Sequence, residues 1–280
     1  MADSVTLESE LLLSVDDAAG GANAQPILLL PAMGVPASYY DPLVAGLTEA
    51  GHPVVRLHWR DEDRSYPKRH KNYGYADLAE VDIPAAAAYT RERFGVDPVV
   101  LGHSLGGQVS VISAAKGGPY AGIVVAASGT NYWRGSGLAW ALGVGFVSFI
   151  FAPIAVRVFG YWPGGRFGFG GRQCSRLIRD WARLGRTGKF LPEGATLDHE
   201  AKLRELELPI LALTVAGDRY VSPGATTNLI EKLERSHVEH THWRAPQREN
   251  RGHFAWAKAT TGPAEIIHEW AQRIVPTPGS

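Results

Sequence analysis

The sequence contains one cysteine, Cys174, and two methionines in 280 residues. A lone cysteine excludes an internal disulfide and makes a cysteine-based metal cluster untenable. An excess of charge is missing too, because 28 basic and 28 acidic residues cancel to a formal net charge of zero. The chain as a whole therefore offers no general electrostatic attraction to nucleic acid or anionic lipid. There is no internal repeat and no low-complexity tract. The start, Met1-Ala-Asp-Ser4, lacks a basic segment followed by an apolar core, so the expectation is a cytoplasmic protein without a secretory signal. Nothing in the sequence implies a metal, a nucleotide or a flavin.

Apolar content is ordinary, at 45%, so a sizeable core is available to one large α/β domain with an insertion. Ile27-Leu-Leu-Leu30 is a continuous apolar run, as expected for a strand buried on both faces of a parallel sheet. A helix is predicted from about Ser38 to Ala50, a strand over 53–59, and a helix over 77–94 closed by Gly95. Pro98-Val-Val-Leu-Gly-His-Ser-Leu-Gly-Gly107 then runs from an apolar strand straight into a helical pattern, Gln108 to Lys116. Gly122 to Ala127 is another strand. This alternation implies a parallel, doubly wound sheet with right-handed crossovers. The pattern breaks between Asn131 and about Arg204, where no convincing strand occurs. It resumes with strands over 210–215 and 238–243 and helices over 224–233 and 263–274.

Gly102-His103-Ser104-Leu105-Gly106 is a G-x-S-x-G sequence between strand and helix, the context in which a serine is held on a sharp, strained turn with its hydroxyl projecting. Gly102 and Gly106 leave room where strand and helix cross. The helix N-terminus beginning at Ser104 turns backbone N–H groups and the positive end of its dipole toward developing negative charge. With this stretch the chain resembles the α/β-hydrolase fold, and the likeness runs from Ile27 onward. It is similar to the uncharacterised bacterial hydrolases of the predicted α/β-hydrolase type, whose cap carries an element like Arg179-Asp-Trp-Ala182. The resemblance implies a mostly parallel, doubly wound sheet with a helical cap inserted after the sixth strand. Residues 1–130 and 205–280 would form the core domain and 131–204 the apolar cap. It also implies a serine hydrolase that needs no cofactor.

Serine needs a base, and the base needs an orienting carboxylate. In this fold they follow in the order serine, carboxylate, histidine. Asp218 closes the run Ile210 to Asp218, at the carboxyl edge where sites of open α/β sheets collect. His253 lies in a loop between the last strand and the last helix, where Gly252 lets the backbone turn the imidazole inward. His237, His240 and His242 belong to or border a strand and are weaker candidates. For the oxyanion, the family pattern implies the N–H groups of Leu105 and Met33, with Ala32 the neighbour that could take the second place. The chain lacks the His-Gly-Gly-Gly form found in some lipases and esterases.

The remaining expectations concern the substrate. Leu138 to Phe159 is long and apolar, but Arg157, Pro153 and several glycines interrupt it and predicted sheet strands flank it. It reads as cap helices rather than a transmembrane span. Trp140, Phe146, Phe149 and Phe151 are then candidates for a hydrophobic pocket, together with Ala32 and His103, the alternative for the aromatics being simple packing of the cap against the sheet domain. The glycine-rich run 159–171 reads as a shaped loop, and 173–184 as a basic amphipathic helix. Lys68, Arg69 and Lys71 could dock a phosphate of coenzyme A or of an acyl carrier, the blander reading being a solvated loop. The expected partner is a small apolar ester or thioester cleaved through an acyl-enzyme on Ser104. The alternatives are an acyltransferase or cyclase using the same acyl-enzyme, and a ligand-binding protein that has kept the fold without the chemistry.

Overall fold

The computed structural model describes residues 3–7, 11–18, 25–60, 72–135, 137–168, 170–246, 251–259 and 262–274. Lys68, Arg69 and Lys71 lie outside them. Four short apolar segments set the architecture: β3 (Ile27–Leu30), β4 (Val54–Leu57), β5 (Val99–His103) and β6 (Gly122–Ala126), each buried at every position. Strands covered on both faces read as largely apolar runs, interrupted here by Arg56 in β4, which is paired with Asp16, and by His103 at the end of β5. With β1 (Asp3–Thr6), β2 (Leu12–Asp16), β9 (Pro209–Val215) and β10 (His237–Trp243) they form an eight-stranded sheet in the order β1-β2-β4-β3-β5-β6-β9-β10. Only β2 runs antiparallel to its neighbours, β1 and β4. Alternate residues feed two cores. Leu28, Val100 and Ile123 pack on one side, and Ile27, Val99 and Val124 on the other.

One face is covered by α1 (Asp41–Glu49) and α8 (Pro263–Ile274). The other is covered by α2, built from Tyr75–Asp77, a π-helical turn Leu78–Asp82 and Ile83–Phe94, and by α3 (Leu105–Lys116). The helix expected from Ser38 is a 3₁₀ turn, Ala37–Tyr40, that changes into α1 where Pro42 opens the α-helix.

Residues 131–204 give no strand to the main sheet. They contain α4, which runs Leu138–Phe146, π-helical turn Val147–Phe151 and Ala152–Phe159. In α2 and α4 alike a π-helical turn lies just before a proline, Pro84 or Pro153. The wider turn makes room for the ring and for its missing N–H. The run expected to be a loop is a correction: β7 (Tyr161–Pro163) and β8 (Arg172–Cys174) pair antiparallel and clamp its two ends. α5 (Ser175–Thr187) follows, and Gly185 lets it approach Ser148 and Asn131 closely. α6 (His199–Glu205), which the sequence reading missed, is capped by the Asp198 carboxylate and packs back on the core through His199 and Glu80, 3.0 Å apart. α7 (Pro223–Ile230) opens behind the Ser222 cap.

Candidate active site

All the parallel strands end at one edge, and the loops that leave β3, β5, β9 and β10 meet there. Ser104 follows β5 directly and sits at φ 52°, ψ −111°, a region a non-glycine residue enters only under constraint. Three contacts hold it. Its N–H donates to the Ala126 carbonyl at 3.0 Å, and its carbonyl accepts from Ser128 Oγ at 2.7 Å and from the Gln108 N–H at 3.1 Å. A Cβ on Gly102 would stand 2.5 Å from the Gly106 carbonyl, and one on Gly106 would stand 2.2 Å from the Leu30 oxygen. The two glycines are thus the means by which β5, α3 and β3 cross at contact distance.

His253 Nε2 lies 3.0 Å from Ser104 Oγ, and its Nδ1 lies 2.9 Å from Asp218 Oδ2. Asp218 is fixed from the other side, its Oδ1 accepting the N–H groups of Tyr220 and Val221 at 2.8 and 2.9 Å. The loops carrying the two residues are tied by the Gly252 N–H donating to the Ala216 carbonyl at 2.9 Å. His253 is 6% exposed, so the imidazole is shielded from bulk water on all but its working edge. The three residues expected from separate parts of the sequence therefore form one hydrogen-bonded line. His240 and His242 instead bond Thr214 Oγ1 on the neighbouring strand, both at 3.0 Å.

The backbone N–H groups expected to meet an oxyanion differ in whether they already have a partner. The Ala32 N–H donates to Tyr40 Oη at 2.8 Å, which removes it from consideration. Met33 N–H has no acceptor among the described residues, and Met33 borders the cavity in front of Ser104. Leu105 opens α3, whose first turn carries no side-chain cap, so its N–H is one of the unspent donors of a helix start.

The cavity in front of Ser104 has a volume of about 40 Å³. Apolar walls come from Ala32, Met33, Val221 and Ala225, and aromatic ones from Trp181, Tyr220 and Phe254. Besides Ser104 and His253, Gln108, Thr130 and Asn131 bring polar side chains to it. Gln108 is spent on Tyr75 Oη and the Gly129 carbonyl, whereas Asn131 gives its amide N–H to the Trp181 carbonyl and leaves Oδ1 unpartnered. Gln108 had a signal in the sequence, as the one amide in an otherwise apolar, wholly buried helical turn.

Several expected pocket residues are elsewhere. Trp140, Phe146 and Phe149 do not line the cavity. Trp140 donates to the Tyr132 carbonyl, Phe146 stacks on Phe151, and Phe149 meets Trp133 edge-on. Phe146 and Phe149 are 56% and 50% exposed, on the outer side of α4. Phe151 packs against Trp162 and Phe167 rather than toward Ser104. His103 lies behind Ser104, buried between Tyr40, His253 and Trp256. Burial above all, with the nearby His253, holds its pKa well below the ordinary histidine value. Among the described residues no group of three or more His, Cys, Asp or Glu is arranged to hold a metal ion.

The family model described as Alpha/beta hydrolase family matches residues 27–262. The chain belongs to that family. Solved α/β-hydrolase structures share the fold at low identity. The monoacylglycerol lipase of Paleococcus ferrophilus is 15% identical with a TM-score of 0.63, over 95% of this chain and all of the other. The esterase domain of a Rhodothermus marinus protein is 12% identical with a TM-score of 0.61, over 98% of each chain. The esterase EaEST of Exiguobacterium antarcticum is 15% identical with a TM-score of 0.59, over 97% of this chain and all of the other. Among curated sequences no protein is similar enough to match. As an α/β-hydrolase, the protein is a hydrolytic enzyme.

Proposed function

We propose that this α/β-hydrolase cleaves a carboxylic ester or thioester with an apolar acyl or alcohol part, through an acyl-enzyme on Ser104. The observation that carries the reading is the line from Ser104 Oγ through His253 to Asp218, with spacings of 3.0 and 2.9 Å. Ser104 Oγ attacks the carbonyl carbon while its proton passes to His253 Nε2. Asp218 keeps the other ring nitrogen protonated, so Nε2 presents its lone pair to the serine, and then stabilises the imidazolium. The oxyanion is met by the N–H groups of Leu105 and Met33, each worth about 3 kcal/mol of barrier in comparable sites. His253 returns the proton to the departing alkoxide or thiolate. A water, deprotonated by the same imidazole, then releases the acid.

The apolar walls of the cavity favour an apolar substrate, and the lipase and esterase names of the similar structures point to the same class of bond. A cavity of about 40 Å³ is far smaller than ligand pockets, which run to about 300 Å³ and more. Substrate entry therefore requires a wall to move. Gly170, Asn131 and Trp181 are the contributions of segment 131–204 to those walls, which fits its role as the cap. The test is steady-state hydrolysis of p-nitrophenyl esters of increasing acyl length by wild type and Ser104→Ala. Turnover that rises from acetate toward longer chains and vanishes in the variant is expected. Equal turnover by both would end the proposal.

A further inference from the structure

The zero net charge is an average over two unlike parts. Between Asn131 and Arg179 there are six arginines and no acidic residue, so elsewhere 22 basic residues face all 28 acidic ones. The segment's most prominent element is α4, with 22 residues and a mean hydropathy of 2.0. Its outer side carries Leu138, Leu142, Phe146, Ile150, Ile154 and Val158, every fourth residue, each between 50% and 76% exposed. A four-residue step overshoots an α-helical turn by about 40°, and the wider turn over Val147–Phe151 takes part of that drift back. A row of six large apolar side chains held in water is far from the scattered singles of an ordinary surface.

The helix is long and apolar enough to cross a membrane, yet the topology forbids a single crossing. The chain leaves the sheet at β6 and returns at β9, which pair as neighbours from Ile123↔Ile210 to Ala126↔Leu213. Both ends of α4 therefore belong to one side, and among the described residues there is no second such helix. Its inner side, with Ser148, Ala152, Ala155 and Val156, is buried within the protein.

Beside the apolar row, α4 and α5 enclose a groove of about 420 Å³ lined by Arg157, Arg179, Arg183 and Arg186. Carboxylates answer only two of these: Glu193 lies 3.3 Å from Arg179 and Asp180 lies 4.0 Å from Arg183. Arg157 and Arg186 have no acidic partner among the described residues, and Arg186 donates to the Ser148 carbonyl at 2.7 Å. Burial and the charge of Arg183 both pull the Arg186 pKa below its ordinary value. Around the helix, Arg134 stacks on Trp133 and Arg172 on Tyr161, with centroid distances of 4.6 and 4.2 Å. Aliphatic row, amphipathic aromatics and unanswered arginines together are the composition of a helix that lies in a membrane interface.

We infer that α4 and the neighbouring face of α5 dock on the surface of an anionic phospholipid bilayer, the apolar row of α4 among the upper acyl chains and the arginine groove against lipid phosphates. A second copy of the chain fits the face less well, since a two-fold contact would set both arginine groups against each other. The docking is independent of the chemistry at Ser104.

The test is co-sedimentation with vesicles of phosphatidylcholine alone and of phosphatidylcholine with phosphatidylglycerol. Wild type is expected to bind the anionic vesicles at least about tenfold more tightly, an advantage that shrinks as salt rises. Leu142→Glu/Ile150→Glu/Ile154→Glu, all at exposed positions, should abolish binding while keeping the wild-type circular dichroism and melting temperature. Arg134→Gln/Arg157→Gln should reduce the anionic preference several-fold and leave the fold untouched. Equal affinity for both vesicles, or a triple variant that binds as wild type does, overturns the inference. So does a wild-type dimer in analytical ultracentrifugation that the triple variant dissolves, with no vesicle binding, which would give the row to a second copy.

Discussion

The hydroxyl of Tyr40 donates to Nδ1 of His103 at 2.7 Å, deep behind Ser104. The same oxygen accepts the Ala32 N–H at 2.8 Å, and Nε2 of His103 faces the His253 carbonyl at 2.8 Å. A carbonyl can only accept, so the shorter Nε2 contact puts the proton of a neutral imidazole on Nε2 and leaves Nδ1 to accept from Tyr40, while the Trp256 Nε1–H approaches Nε2 at 3.3 Å. A buried relay thus joins the loop of Met33 to the loop of His253. Two parts of the site that come from opposite ends of the chain are set against each other by one phenol and one imidazole.

Tyr40→Phe leaves the Ala32 N–H and His103 Nδ1 buried without partners. Each orphaned group costs about 1–3 kcal/mol, so chemical denaturation should show a loss of about 2–6 kcal/mol for the two. Because the relay spaces Met33 from His253, kcat should fall about tenfold with a smaller change in KM. Unchanged stability and kcat would mean that the relay positions nothing.

Asp218→Asn should leave the fold intact, since the Oδ1 that caps Tyr220 and Val221 remains. The amide cannot keep the proton on Nδ1 of His253, and the imidazole turns the wrong nitrogen to Ser104. Turnover of a soluble ester should drop by about 10³–10⁴. Retention of wild-type kcat would remove Asp218 from the mechanism.

Acid should destabilise the protein through His103 and, more weakly, His52. Burial lowers the pKa of both in the folded chain. Above the ordinary histidine value of about 6.5 folded and unfolded chains both carry neutral imidazoles, and the term is zero. As pH falls below it the unfolded chain takes up protons that the folded chain refuses. Stability is then lost at up to about 1.4 kcal/mol per pH unit per histidine. The groups facing His103 are Tyr40 and His253, and Tyr40 stays neutral because burial drives its pKa far up. Urea denaturation at pH 7.5, 6.5, 5.5 and 5.0 should show this slope reduced in His103→Gln. A slope identical in wild type and variant would contradict the assignment.

Gly106→Ala places a methyl group 2.2 Å from the Leu30 oxygen. Backbone lies on both sides, so relief needs α3 to move off β3, and the cost should be at least about 3 kcal/mol. A melting temperature within a degree or two of wild type would show that the crossing is looser than its geometry.

Legibility in the sequence followed the physics of each element. Strands buried on both faces announce themselves as apolar runs, and Ser104 stands in a motif whose glycines have a steric reason. Asp218 and His253 could be found because their strands end at the edge where Ser104 sits. The pocket could not be found this way. α4 is apolar nearly all round, so its pattern does not say which side faces inward, and Phe146 and Phe149 turned out to face solvent. Asn131 and Trp181 reach the cavity only through the packing of α5 at Gly185, a contact no local pattern encodes. That the Ala32 N–H is already taken, by Tyr40, depends on a phenol whose own partner, His103, is 63 positions away.

The most direct measurement is intact mass after treatment with a fluorophosphonate, on wild type, Ser104→Ala and His253→Ala. An activated serine predicts one adduct on wild type, none on Ser104→Ala, and slowed labelling of His253→Ala. Wild type that stays unlabelled by both the fluorophosphonate and a small sulfonyl fluoride, while folded, would contradict the account. An adduct that persists in Ser104→Ala would contradict it as well.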